Sequence, residues 1–459
     1  MTRPKTRMGI KPHGEDEETT MSYNDRHGVQ FLFLNIGHLL DHLFLLIYAT
    51  AVVTISLDPA FQLTFAQAIK ELVGALPFEG GATNAVVEWA DGLTEKGSYG
   101  FLLALSTASF VAFGAFSLPA GWLGDKWSKH GMMTVFFIGI GTASVMTGFA
   151  NGPYQVAGGL LVIGIFAAIY HPVGISMVAE NAKSLGRELG INGVWGNFGV
   201  ACAAVVSGFL TDHYGWRAAF IVPGVISILV GLAYLVFSRN APEPHPLAKK
   251  DKFIGATPEQ VKRAIFVVLL ASAPGMLIFN STTNSLPKLF TERLGDLAGN
   301  VSQAGFWGFG VFVVASMAQV MMGHLLDKYR LKPIYIIAVA LQAPLIFLVA
   351  YAYNEGLLGA ATAMMFIVFS IIPIHDTIIA RFTSKEIRSR VFALKYLVGL
   401  LVGAAALPLT GWLHSVVGGF TVVFLVLGAL AVFESCVTFF LPARDHLTQQ
   451  AENAAQPAE

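Results

Sequence analysis

Apolar residues run along this chain in twelve long blocks, at 31–57, 99–119, 132–150, 154–179, 190–211, 217–238, 263–283, 302–325, 333–353, 358–380, 391–413 and 418–441, with polar stretches between them. A bilayer-spanning helix needs about 20 predominantly apolar residues, and each block has that length. The blocks are continuous rather than alternating, so the pattern predicts helices and not barrel strands. The first block is long enough to span and is read as a retained helix, not a cleaved signal. The expected fold is an all-α membrane protein of twelve transmembrane helices in two pseudo-symmetric six-helix bundles.

Charge placement sets an orientation. With both termini inside, the inner segments hold 23 of the 29 Lys and Arg, the outer segments hold five (Lys70, Lys96, Arg217, Lys288 and Arg293), and Lys395 falls within a helix. Positive charge gathers on the cytoplasmic side, so the twelve-helix count and the alternation of loops support each other. The organisation expected is a cytoplasmic tail over 1–30, a first bundle over 31–238 with an external insertion at 58–98, a cytoplasmic linker at 239–262, a second bundle over 263–441 and a cytoplasmic tail over 442–459. Ile69, Leu72, Val73 and Leu76 share a helical face and predict a short amphipathic helix on the outer surface, with a solvated loop as the alternative.

Composition narrows the class. The chain is 54% hydrophobic and 13% charged, about half the charge of a soluble domain, and its formal net charge is zero. Nothing in that balance suggests a nucleic-acid partner. Cys202 and Cys436 lie singly in apolar blocks and allow no disulfide framework or metal finger. There is no nucleotide loop, nucleophile elbow or set of His boxes, so an enzyme is not expected.

A short motif occurs twice. Gly121-Trp122-Leu123-Gly124-Asp125-Lys126-Trp127 returns 202 residues later as Gly323-His324-Leu325-Leu326-Asp327-Lys328-Tyr329, each copy in a basic turn between two apolar blocks. The repeat divides the chain into two similar halves, the layout of a two-bundle transporter. With Lys129, the first copy resembles the loop between helices two and three of the major facilitator superfamily. The second resembles the loop between helices eight and nine, and Gly215-Trp216-Arg217-Ala218-Ala219-Phe220 is similar to that superfamily's turn before helix six. The resemblance covers about residues 30 to 441. It implies secondary active transport by alternating access, with Gly121, Asp125, Lys126, Lys129, Gly323, Asp327 and Lys328 as gating residues rather than substrate ligands. Asp125 and Asp327 are expected to meet helix ends or a nearby Arg, and Gly121 and Gly323 to allow close backbone packing.

A narrower resemblance is to the fosmidomycin-resistance branch, through His38-Leu39-Leu40-Asp41, Tyr170-His171-Pro172 and Gly196-Asn197-Phe198-Gly199. It implies export of small compounds in exchange for protons. The insertion at 58–98 and the absence of a Gly-Pro pair in helix five depart from the pattern and leave the direction of transport open.

Ionisable groups at membrane depth are costly and usually face a cavity or the protein interior. His38, Asp41 and His42 fall on one face of helix one, where an imidazole beside a carboxylate can exchange protons near neutral pH. Asp41 is the expected coupling site with His38 or His42 as partner, against a structural cluster as the alternative. Positions 38 and 42 also have the spacing of two metal ligands on a helix, but no second box accompanies them, and no metal is expected. Glu434 is either a further proton site or a lipid-edge residue. His171 beside Pro172 and His375 beside Asp376 stand 204 residues apart, at nearly equivalent places in the two halves. They are cavity candidates together with Trp195, Asn197, Asn280, Asn284, Lys395 and Tyr396. Lys395 either pairs with Asp376, attracts an anionic substrate or reaches for the interface.

The function expected is proton-coupled efflux of a small molecule. Proton-coupled import of a small organic anion is the alternative, and a non-transporting sensor or scaffold is the alternative of another class. The expected partners are a small-molecule substrate, protons and the lipid bilayer, with no cofactor. The expected setting is a monomer in a bacterial inner membrane.

Overall fold

The computed structural model describes residues 23–76, 81–93, 97–181, 185–239, 256–383 and 385–443. Helix α1 spans Tyr23–Ile55, α2 Tyr99–Lys126, α3 Lys129–Gly148, α4 Pro153–Val178, α5 Leu185–Tyr214 and α6 Trp216–Ser238. The second half comprises α7 Pro258–Arg293, α8 Val301–Lys328, α9 Leu331–Tyr351, α10 Asn354–Phe382, α11 Lys385–Trp412 and α12 Gly419–Thr438. A lipid core offers no hydrogen bonds, so the backbone closes its own bonds within each helix.

Among the described residues these helices form eleven apolar stretches, because Leu397–Thr438 runs on for 42 residues. A straight helix of that length would reach about 63 Å, twice the hydrocarbon core of about 30 Å. A wide π-type turn at Leu413–Gly418 and Gly419 at φ 71° break it, and both legs pack against α7. It therefore counts as two crossings, and the fold has twelve.

Several boundaries move from the sequence expectation. Helix α1 takes in residues 23–30, which had been assigned to the tail. Thr257 caps α7 in a reciprocal box with Gln260, with Pro258 at the first helical position, so the second bundle begins at Pro258 and the linker is shorter than 239–262. Residues 240–255 of that linker, 1–22 and 444–459 lie outside the described residues.

Helix packing repeats six helices on. In the first half α1 packs on α5, α2 on α4, α3 on α6 and α3 on α4; in the second α7 packs on α11, α8 on α10, α9 on α12 and α9 on α10. The halves meet along α2–α11 and α5–α8, two contacts that the same shift interchanges. This is the internal two-fold pattern that the repeated motif implied.

The seam is tight at the end carrying the insertion. Gly100 and Gly411 bring α2 and α11 so close that a Cβ on either would meet the other's carbonyl oxygen. Tyr99 lies under Lys288, 5.3 Å from ring centroid to Nζ, and edge-on to His414 at 5.1 Å. On α5–α8, Asp212 Oδ2 accepts from the Ser302 N–H at 2.5 Å and Ser302 Oγ donates to the Gly208 carbonyl at 3.1 Å. Deeper in, Thr107 donates to the Ala404 carbonyl and Asn197 Nδ2 donates to Gln319 Oε1 at 2.9 Å. Towards the opposite end, where the repeated motif lies, Leu118 and Trp122 of α2 and Leu394 and Leu397 of α11 are exposed. The described close contacts and hydrogen bonds between the halves thus lie at the insertion end and at mid-depth.

The insertion folds into two short helices, Phe65–Gly74 and Gly81–Asp91, where one was expected. Thr64 and Gln67 cap the first reciprocally, Lys70 pairs with Asp91 between the two, and Glu71 accepts a bond from Tyr154 at the start of α4. Leu72 and Leu76 of the expected apolar face are exposed, and Leu76 lies beyond the helix end. Phe65 meets both Phe101 of α2 and Trp412 of α11 edge-on at 5.5 Å, and Trp89 stacks on Trp412 at 5.8 Å. The insertion therefore straddles the α2–α11 seam.

Aromatic pairs of this kind contribute about 0.5–1.5 kcal/mol beyond area burial. Trp89→Ala is expected to shift the closed-to-open ratio of the insertion end by roughly two- to ten-fold. A cysteine placed at Ser415, which is buried beneath this seam, reads that shift as faster labelling by a membrane-impermeant maleimide. Unchanged labelling would show that the stack does not hold the seam.

Candidate functional site

The polar centre of the first half is built by a defect in α4. Pro172 has no N–H, so the helix cannot close its regular bond there, and the chain takes a wide π-type turn over Tyr170–Gly174. That turn carries Tyr170 and His171 towards α1. Tyr170 donates its hydroxyl to the Leu34 carbonyl at 2.8 Å. Asn192 of α5 donates to the Tyr170 oxygen and to Asn35 Oδ1, both at 2.9 Å. His38 Nδ1 lies 2.8 Å from the Asn192 carbonyl; because a carbonyl only accepts, that nitrogen carries the proton. These bonds knit α1, α4 and α5 at one level.

Asp41 sits beside this knot with 0% exposure. Neither of its oxygens has an aligned hydrogen-bond partner among the described residues. Its ion-pairing neighbour is His171, with Nε2 3.3 Å from Oδ2, and not the two His on its own helix. The His171 side chain is 36% exposed, so it is the member of the pair that reaches open space. His42 is half-buried, 5.0 Å from the His38 ring and 5.6 Å from the His171 ring between centroids.

His38, His42 and His171 place ring nitrogens within 4.8 Å of one another, a third His that the helix-one spacing alone did not supply. Zinc with bonds of about 2.1 Å needs nitrogens about 3.4 Å apart. The His38 ring is held by Asn192 on one side and lies against Gly196 on the other, so closing the triad on an ion requires that ring to move.

The second half carries a parallel cluster. His375 Nε2 is 2.8 Å from the Tyr335 hydroxyl and 3.9 Å from Glu434 Oε1. Glu434 has 0% exposure, which removes the lipid-edge reading, and neither of its oxygens has a hydrogen-bond partner among the described residues. Lys395 meets Asp376 at 2.6 Å, so it is an ion-paired residue rather than one reaching for the interface. Asn280 and Asn284 are buried and turn their amide nitrogens back onto the Met276 and Asn280 carbonyls, 2.9 Å each. Trp195 is half-buried, and the Tyr396 side chain lies outside the described residues.

The motif loops differ from expectation. Gly121 does pack closely, since a Cβ there would sit 3.1 Å from Pro172, but Gly323 has open space around it. Asp125 is exposed and meets Lys129 at 3.7 Å, with no Arg partner among the described residues; Lys129 in turn binds Glu180, just beyond the end of α4, at 2.6 Å. Lys126 and Lys328 are exposed, and the Asp327 side chain lies outside the described residues.

Tyr170, Asn192, Gln319, Tyr335 and Glu180 were not singled out from sequence. A usable signal existed for Asn192 and Gln319, since amides inside apolar blocks must find partners.

The family model of the Major Facilitator Superfamily matches residues 43–296 and 291–458. Multidrug resistance protein MdtG of Escherichia coli is 25% identical over 341 residues, covering 70% of this chain and 80% of that protein. Among solved structures, a bacterial homologue of the human lysosomal transporter Spinster, inward-facing and occupied, superposes with a TM-score of 0.66 at 14% identity over 94% of this chain and 99% of that one. A D-xylose-proton symporter superposes with a TM-score of 0.61 at 15% identity over 90% of this chain and 98% of that one. The chain belongs to the major facilitator superfamily and is a multi-pass secondary transporter of small molecules, not an enzyme.

The knot around Asn192 has a measurable weight. Leaving buried hydrogen-bonding groups unmatched costs about 1–3 kcal/mol. Asn192→Ala strips the amide from Asn35 and Tyr170 and is expected to lower thermal stability in detergent by that amount, with Tyr170→Phe costing less. Wild-type melting of Asn192→Ala would show that α1, α4 and α5 are held by apolar packing alone.

Proposed function

We propose that this member of the superfamily exports small amphiphilic organic molecules in exchange for protons, with Asp41 as the coupling carboxylate and His171 as its partner. The observation that carries this reading is a fully buried carboxylate with no aligned hydrogen bond, 3.3 Å from an imidazole whose side chain is 36% exposed. A permanent charge in that place is expensive unless paired, so the group is suited to being neutral in one state and ion-paired in another.

The motif end is assigned to the cytoplasm, because the basic loops lie there. We take the described conformation, sealed at the insertion end, as the inward-open one, with the insertion outside. In this state a proton on Asp41 leaves the site uncharged. Transfer of that proton to His171 Nε2 creates an ion pair without adding net charge, and release from His171 to the cavity completes discharge to the cytoplasm. A positively charged or polar substrate that occupies the cavity favours the discharged form by attraction to the carboxylate. Rocking of the two halves about the α2–α11 and α5–α8 seams then exposes the site outward, where a new proton displaces the substrate. For a neutral cargo, one charge moved across 100 mV is worth about 2.3 kcal/mol, enough for roughly fifty-fold accumulation; a cationic cargo draws on the pH gradient instead.

The name of the E. coli relative, a multidrug resistance protein, supports the outward direction and a broad choice of cargo. Import of an organic anion is less well supported, since Lys395, the cation it would use, is already matched by Asp376 at 2.6 Å. The setting proposed is a monomer in a bacterial inner membrane with both termini in the cytoplasm.

Inverted membrane vesicles with an acidified interior test the reading. A panel of lipophilic cations and neutral drugs is expected to alkalinise the interior of wild-type vesicles for a subset of compounds. Asp41→Asn is expected to abolish the response while remaining inserted and folded. His171→Asn, which removes a charge-assisted contact of about 1.5–3 kcal/mol, is expected to weaken coupling roughly ten-fold or more. Wild-type coupling in Asp41→Asn would remove Asp41 from the role.

A further inference from the structure

Each half of the molecule buries one carboxylate beside a His that stands near a proline in α4 or α10. His171 of α4 and His375 of α10 stand 204 residues apart, close to the 202 of the motif repeat, and each has a proline within two residues, Pro172 and Pro373. His171 Nε2 faces Asp41 at 3.3 Å, and His375 Nε2 faces Glu434 at 3.9 Å. Asp41 and Glu434 are the two fully buried carboxylates without hydrogen-bond partners among the described residues. The acids come from different places in the fold, α1 in one half and α12 in the other, yet both converge on the equivalent His.

We propose that Glu434 is a second proton-carrying site, loaded through His375, so that the transporter moves two protons per cycle, one in each half. The proposal rests on the proton-coupled reading of Asp41 and deepens it by setting the stoichiometry. The surroundings of Glu434 fit the role. Helix α9 presents the Tyr335 hydroxyl, α10 presents His375, and α7 presents only its backbone at Gly275, which lets the carboxyl approach without a charged partner. Lys395 of α11 is ion-paired with Asp376 at 2.6 Å, and the Asp376 side chain is 39% exposed. Asp376, next to His375 in α10, is the partly exposed acid that follows this His along the helix. The chemistry is a proton transfer alone: an N–H bond of protonated His375 breaks as an O–H bond forms on Glu434, and the return of the proton to His375 breaks that O–H bond and re-forms the N–H. No other bond changes and no co-reactant is needed.

A protonated carboxyl has a C=O stretch distinct from that of a carboxylate, so infrared difference spectroscopy on the full-length protein in liposomes needs no knowledge of the cargo. Two protonated-carboxyl bands that change with bulk pH are expected in the wild type. Glu434→Gln is expected to remove one and Asp41→Asn the other. If the Glu434 band is present but constant with pH, Glu434 is a permanently neutral core acid and the proposal fails. If Glu434→Gln leaves both bands, Glu434 carries no proton and the proposal fails. Should Glu434→Gln not fold, His375→Asn decides: it is expected to change the pH response of the Glu434 band and leave the Asp41 band as it was, and an unaltered Glu434 band rejects loading through His375. Failure of the Asp41 assignment is read separately, as persistence of both bands in Asp41→Asn. With two protons the accumulation supported by 100 mV rises from roughly fifty-fold to roughly 2,500-fold for a neutral cargo.

Discussion

A polar group inside a bilayer has no water to fall back on, so each amide, hydroxyl and charge between the two surfaces must be answered by another part of the protein. Most of this structure can be read as the consequence. Tyr170, Asn192, Asn35 and His38 satisfy one another and thereby fix how α1, α4 and α5 sit. Asn197 and Gln319 answer each other across the two halves, and Lys395 and Asp376 do so between α10 and α11. Against that background the groups left unanswered stand out. Several buried hydroxyls and amides are also without partners among the described residues, but Asp41 and Glu434 are the fully buried carboxylates among them, which is why they carry the functional argument.

The two halves share a packing plan but not a chemistry. The same helix pairs touch in each, six positions on, and both central helices place a His near a proline. Yet the His of the first half is partly exposed at 36%, while His375 of the second is buried. A symmetric frame can rock about its seams whatever fills each half. In the proposed cycle, these asymmetric contents would give the two halves different proton-handling roles.

The fold was legible in the sequence because hydrophobic block length, loop charge and a doubled motif each report on the bilayer, which imposes the same rule at every helix. The site was legible only in part. Helical spacing brought His38, Asp41 and His42 to one face, but spacing within one helix says nothing of the neighbouring helix, and the neighbour supplied His171 as the partner of Asp41. The same limit hid the pairing of Lys129 with Glu180 and of Tyr335 with His375. Gly121 and Gly323 read alike in the motif, yet only Gly121 meets a facing residue, because Pro172 brings α4 close in one half. The insertion showed one amphipathic turn in sequence and formed two helices, since its aromatic side chains find their partners on α2 and α11 and not within the segment.

Where the insertion sits bears on how the molecule alternates. The seam at that end depends on backbone contact at Gly100 and Gly411, a geometry that tolerates little sliding: the helices either touch or part. An aromatic clamp laid over such a seam acts on the balance between the two states without touching the substrate. Trp89 and Phe65 reach Trp412 from a segment otherwise fastened to the first half through Glu71, Asp58 and Phe101. Opening at this end must therefore either break the Trp412 contacts or drag the insertion with α11 against those fastenings. Both routes raise the cost of the outward-open state relative to a transporter without the segment, and a coupled proton supplies free energy on the scale needed to offset it. Under the proposed proton exchange, the insertion and the buried carboxylates are parts of one balance, the first favouring closure at its end of the seam and the second favouring release from it when protons are bound.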